Sequence, residues 1–184
     1  MDLAKAAAYS DKTPYDLWQE AEGIPIVRGH CVEDLVSIPV ASWKRTGILG
    51  SFINLVGSGR SCGAYVCEIP PGSQSQPQRY LFEQLIYVLK GRGATTVWNE
   101  GRKKQTFEWQ EGSLFSPPLN AWHQHFNVQG DDTARYVALT DAPPMIFHSR
   151  TDLTAKTGIA GREERSRPTG LGNPTSFLAS ETFS

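Results

Sequence analysis

Residues 72–91 read Gly72-Ser-Gln-Ser-Gln-Pro-Gln78-Arg79-Tyr80-Leu81-Phe82-Glu83-Gln84-Leu85-Ile86-Tyr87-Val88-Leu89-Lys90-Gly91. In an extended chain successive side chains point to opposite faces. Gln78, Tyr80, Phe82, Gln84, Ile86 and Val88 therefore share one face, while Arg79, Leu81, Glu83, Leu85 and Tyr87 share the other. A second segment, Gly112 to Asn127, carries Pro118, Asn120, His123, His125 and Asn127, the last three again on one face of a strand. If the strands close into a barrel, one such face lines the lumen, where a ligand can sit.

The surrounding sequence supports strands. Apolar, aromatic and β-branched runs occur at Ser51–Val56, Gly63–Ile69, Leu81–Leu89, Ala94–Trp98, Thr106–Trp109, Gly112–Phe115, His123–Val128 and Arg135–Leu139. Gly, Pro, Asn or Asp separate them, and the spacing is nearly even, which predicts an all-β sandwich or barrel. No long helical pattern intervenes, so a parallel βαβ sheet is not expected. Gly91-Arg92-Gly93 reads as a hairpin turn and not as a phosphate loop, since it joins two strands.

Before the strands, Thr13-Pro14 opens one short helix that Gly23 closes, with Asp16 at the positive end of its dipole. Ile24–Val27 is extended and is a candidate to add a strand to a neighbour's sheet edge. The expected organisation is an arm with a short helix over 1–49, a barrel over 50–142, and an irregular tail over 143–184, poor in large aliphatics.

Composition narrows the function. A formal net charge of −1 gives no basic field for nucleic acid or an anionic membrane. The basic cluster Arg102-Lys103-Lys104 reads as a solvated hairpin tip. No run approaches the ~20 apolar residues of a membrane span, and residues 1–10 lack the apolar stretch of a secretory signal. Cys31, Cys62 and Cys67 form no C-x-x-C pair. Cys67 lies in an apolar run as a small hydrophobe, and the expected compartment is the reducing cytosol.

The two segments resemble the paired signatures of the cupin superfamily. The first signature is Gly, five residues, His-x-His, three or four residues, Glu, six residues, Gly; Gly72, Gln78, Tyr80, Gln84 and Gly91 stand at those spacings. The second is Gly, five residues, Pro-x-Gly, two residues, His, three residues, Asn; Gly112, Pro118, Asn120, His123 and Asn127 stand there. Asn for Gly at 120 is a mild change, since both tolerate a left-handed backbone. The resemblance implies a double-stranded β-helix, or jelly-roll, barrel and a homodimer.

It also implies a metal site that this sequence has largely lost. Cupins typically hold iron, manganese, nickel or zinc with three histidines and a glutamate. Gln78, Tyr80 and Gln84 replace three of these ligands here, and His123 alone remains. The expectation is no cofactor, with Tyr80 and His123 as a catalytic acid–base pair acting on a small molecule. Gln78, Phe82, Gln84, Trp98, Phe115 and His125 would bind the substrate. This chemistry suits an isomerase, cyclase or lyase working on an apolar oxygenated metabolite. Two alternatives stay open: a metal-dependent dioxygenase or lyase using Tyr80, Gln84, His123 and His125, and a binding module without catalysis.

Overall fold

The computed structural model describes residues 12–58 and 61–148. Helix α1 spans Pro14–Glu22. The Thr13 hydroxyl accepts from the Asp16 N–H, and the Asp16 carboxylate accepts from the Thr13 N–H, so two free donors of the first turn are satisfied reciprocally. Gly23, at φ 69°, ends the helix in the left-handed conformation.

Ten strands follow: β1 (Ile26–Gly29), β2 (Ala41–Trp43), β3 (Ile48–Leu55), β4 (Gly63–Ile69), β5 (Gln84–Lys90), β6 (Arg92–Trp98), β7 (Gln105–Gln110), β8 (Leu114–Phe115), β9 (Trp122–Asn127) and β10 (Ala134–Thr140). Helix α2 covers Ala142–His148. One sheet runs β1-β3-β4-β10-β5-β8, with β2 also on β3, and a smaller sheet runs β7-β6-β9. The two face each other as the jelly-roll barrel that the cupin resemblance implied.

Three expectations need correction. Ile26–Gly29 pairs in parallel with Phe52–Leu55 of its own chain, so the arm completes its own sheet. The arm thus belongs to the sheet from β1 onward, and the strands begin before Gly50. Gly91 makes no hairpin: β5 pairs with β10 and β8, whereas β6 pairs with β7 and β9. Its backbone, at φ 85°, turns the chain from one sheet to the other, which a glycine accepts without strain. Third, the segment assigned to an irregular tail begins with α2; its remainder, 149–184, lies outside the described residues.

The large sheet is covered on both faces. Inward point Phe52, Tyr65, Cys67, Ile69, Ile86, Val88 and Tyr136, all buried. Outward point Ile53, Val66 and Val137, over which the arm lays Val27, Val32, Leu35, Ile38 and Val40. Arg135 ties the arm down from the same face: its guanidinium pairs with Glu68 at 2.7 Å and donates to the carbonyls of Val36 and Ile38.

Candidate functional site

The first signature segment reaches the second by direct backbone pairing. Gln78 and His123 exchange both N–H···O bonds at 2.8 Å, and Ser75 N–H donates to the His125 carbonyl at 2.9 Å. Residues 73–78 thereby extend the small sheet along β9 and set Gln78 beside His123. From there burial alternates residue by residue: Gln78, Tyr80, Phe82, Gln84, Ile86 and Val88 are buried, while Leu81, Glu83, Leu85 and Tyr87 are exposed. Strand β9 alternates likewise, burying His123, His125 and Asn127.

Asn127 is a latch and not a ligand group. Its amide NH2 donates to the carbonyls of Ile69, Pro70 and Asp132, and its oxygen accepts from Gln129 N–H. Asn120, at φ 61°, is in the left-handed region, where the signature has its glycine. Its carbonyl accepts from the Arg79 guanidinium at 2.9 Å.

Five of the sequence-chosen residues come together. Tyr80 stacks on Phe82 with centroids 4.6 Å apart, and its ring lies 5.3 Å from the His123 imidazole. The Tyr80 hydroxyl donates to Gln78 Oε1. Gln84 completes the group, its amide close to that hydroxyl without reaching hydrogen-bonding geometry. His125 and Phe115 lie deeper: their centroids are 6.1 Å apart, and His125 is 5.4 Å from His123. His125 Nδ1 meets Thr95 Oγ1 at 2.8 Å, and the same hydroxyl accepts from the Trp109 indole at 2.9 Å.

Trp98 does not join them. It pairs in register with Trp122, one residue off the His123 parity, and the two indoles stack outside the barrel at 6.3 Å. The register of β6 on β9 decides this, and it puts Trp98 under the Lys104 ammonium at 4.5 Å instead.

Groups without an early signal also line the interior. Tyr65, Cys67 and Tyr136 share the inward face of neighbouring strands, with the Tyr136 ring 5.3 Å from His125. Burial pushes the Cys67 thiol up to about 12, so it is an inert core group. Below Tyr80 the Glu22 carboxylate accepts from the Trp43 indole and from Arg45 Nε, both at 2.7 Å.

The electrostatics follow from burial. His123 Nδ1 stands 3.3 Å from the Ala121 carbonyl, which only accepts, so Nδ1 carries the proton and Nε2 a free lone pair. Desolvation pushes the imidazole down to about 4, against the Ala121 carbonyl, which raises it. His125 is lowered for the same reason, and His123 adds to it. Desolvation holds the Tyr80 phenol well above its ordinary value, so it stays protonated.

Among the described residues five buried side-chain polar atoms have no hydrogen-bond partner, and three of them, His123 Nε2, Gln78 Nε2 and Gln84 Nε2, belong to this group. Beside them is a cavity of about 10 Å³ bounded by Tyr80, Phe82, Gln84, Pro117, Pro118 and His123, room for about one water-sized atom.

A stability prediction follows. The unfolded His123 takes up its proton near 6.5 and the folded one near 4. Between these values the unfolded state binds more protons, so stability is complete above about pH 6.5 and falls as pH drops toward about 4. His123 alone accounts for about 3 kcal/mol, with His125 acting in the same direction. Denaturant titrations from pH 7 to 4 should show this loss, and His123→Gln should flatten its slope. An unchanged slope would mean that His123 is not desolvated.

A family model described as Cupin matches residues 56–164, more than half of the chain. The chain belongs to the cupin family. The 5-aminosalicylate 1,2-dioxygenase of Comamonas sp is 28% identical to this cupin over 102 residues, 54% of this chain. That match spans only a quarter of the relative's own length. Among solved structures, an oxalate decarboxylase from Lactobacillus farciminis aligns with TM-score 0.49 and 20% identity, covering 59% of this chain and 32% of that one. The polyketide cyclase RemF from Streptomyces resistomycificus aligns with TM-score 0.49 and 18% identity, covering 60% of this chain and 78% of that one.

A resident divalent cation does not fit the donors of this cupin. Among the described residues no three His, Cys, Asp or Glu side chains converge as a metal site. The pocket offers imidazoles, two neutral amides and a phenol whose proton is directed to Gln78. Hard and borderline cations favour anionic oxygen or several nitrogen donors, and no carboxylate stands here. The unpartnered amide nitrogens present N–H groups, which repel a cation. No helix among the described residues is long and apolar enough to cross a membrane.

Proposed function

We propose that this cupin is a metal-independent enzyme that moves a proton on a small oxygenated molecule, as an isomerase, cyclase or lyase does. One observation carries the reading: the His123 Nε2 lone pair and the Gln84 amide, both buried and unpartnered, line a cavity with room for about one water-sized atom, and the unpartnered Gln78 amide belongs to the residue paired with His123. A buried polar group without a partner costs about 1–3 kcal/mol, and three together favour a ligand that supplies the missing bonds. A group that donates once and accepts twice complements the set. A hydroxyl does this: it gives its hydrogen to His123 Nε2 and accepts from Gln78 and Gln84.

In this reading His123 is the base, with its tautomer held by the Ala121 carbonyl. It takes the hydroxyl proton as negative charge develops on the oxygen, and the amides of Gln78 and Gln84 stabilise that charge as an oxyanion hole does. Tyr80 fixes Gln78 by donating to its oxygen and stays protonated throughout. Phe82 gives the cavity an apolar side and backs the Tyr80 ring.

The alternative is a metal-dependent dioxygenase, favoured by the name of the Comamonas relative and opposed by the donor set. Denaturing mass spectrometry and elemental analysis of protein purified without chelator separate the two. The expected result is a released oxygenated small molecule, lost in His123→Ala, with no stoichiometric transition metal. One equivalent of metal that disappears in His123→Ala would overturn the metal-independent reading.

A further inference from the structure

His125 is the buried imidazole that the chemistry proposed for His123 leaves unused. Both rings project from one face of β9, with centroids 5.4 Å apart. They differ in what meets Nδ1. At His123 it is the Ala121 carbonyl, which only accepts, so the proton lies on Nδ1. At His125 it is the Thr95 hydroxyl, 2.8 Å away, which can accept or donate.

Trp109 decides between the two. Its indole can only donate, and it stands 2.9 Å from Thr95 Oγ1. The strand register brings the three together: Thr95 pairs with His125 across β6 and β9, and Trp109 pairs with Gly93 across β6 and β7. Gly93 has no side chain, so the indole crosses over it to reach Thr95. Once the hydroxyl accepts from the indole, its own hydrogen remains to be placed. His125 Nδ1 is the acceptor it meets among the described residues. A proton on Nδ1 would leave that hydrogen without a partner in a fully buried place. His125 therefore carries its proton on Nε2, on the edge of the ring turned away from Thr95.

We infer that Trp109 and Thr95 are positioning residues that hold His125 as a neutral N–H donor, in the opposite tautomer to His123. Two histidines on one strand face are thereby made unlike: His123 presents a lone pair, and His125 presents a hydrogen. The lock keeps His125 from competing as a second base. A neutral imidazole in this state can polarise an accepting atom of a ligand and keep its own proton. The use of that donor in the reaction rests on the reading of His123 as the base, whereas the place of its proton does not.

Long-range nitrogen–proton correlation NMR of the isotope-labelled full chain, at neutral pH, reads the proton on each imidazole directly. The expected spectrum has His123 protonated on Nδ1 and His125 on Nε2. Thr95→Val removes the hydroxyl, so the His125 Nδ1 resonance should move to that of an acceptor nitrogen without a donor. The Trp109 indole proton should shift with it, having lost its acceptor, while His123 stays in place. Thr95→Ser, which keeps the hydroxyl, should restore both resonances. A proton on His125 Nδ1, or an Nδ1 resonance that Thr95→Val leaves unmoved, would overturn the inference and leave the base role of His123 intact. A proton on His123 Nε2, with His125 as expected, would instead overturn the proposed base and leave the Trp109–Thr95 lock standing. Should Thr95→Val fail to fold, the parent and Thr95→Ser spectra still decide where the two protons lie.

Discussion

His123→Ala is expected to lower turnover of the natural substrate by about 100- to 10,000-fold while the protein remains folded. The imidazole contributes its Nε2 lone pair, and no other described base is placed at the cavity: His125 Nδ1 is engaged by Thr95, and Glu83 is exposed on the opposite face. Tyr80→Phe should act differently. It removes the donor to Gln78 Oε1 and frees that amide to rotate, so the loss should appear in both kcat and KM. Single-turnover rates for both variants, with near-ultraviolet circular dichroism as a check on folding, give the measurement. Parent-like turnover in His123→Ala would remove the imidazole from the mechanism. Because burial pushes His123 down to about 4, the acidic limb of the free enzyme's kcat/KM profile should lie well below the ordinary histidine range.

Gly93→Ala should destabilise the fold by about 3 kcal/mol or more, at the upper end of overpacking costs. Gly93 lies opposite Trp109 on one side and Asn127 on the other. A Cβ there would fall well inside contact with the Trp109 ring and with the Phe126 carbonyl oxygen. The ring is held because its indole donates to Thr95, which in turn meets His125. The carbonyl is part of the β6–β9 ladder. Neither can retreat without breaking the chain that orients His125. Gly101→Ala is the control: at φ 74°, with open space around it, it should cost only about 1–2 kcal/mol of backbone strain. Denaturant midpoints compare the two, and a Gly93→Ala protein as stable as Gly101→Ala would show that the Trp109 ring is free to move.

The alternation from Gln78 to Val88 was legible because a buried face and a solvent face differ in chemistry: Gln84, Ile86 and Val88 turn inward while Glu83, Leu85 and Tyr87 meet water. Strand β4 gave no such signal. Tyr65 and Cys67 line the interior, yet Ala64 and Val66 on the other face are as apolar, because the arm covers them. With both faces dry, parity does not tell inside from outside. The outward turn of Trp98 needed the β6–β9 register, and a one-residue shift would have put it in the lumen.

Local chemistry was thus enough to fix the helix and its caps, the strand runs, the tolerance of Asn120 for a left-handed turn, and the faces shared by Gln78, Tyr80 and Gln84 in one segment and by His123, His125 and Asn127 in the other. Each depends on a few neighbouring residues and on backbone geometry that sequence alone specifies. Tertiary structure decided what distant segments do to one another. The arm pairs with β3, Gly91 joins two sheets, and the lumen closes around a space for one oxygen atom. It also left three polar atoms there without partners and brought Gln78 beside His123. Partner satisfaction and cavity size are properties of groups brought together across the chain, and no local pattern carries them.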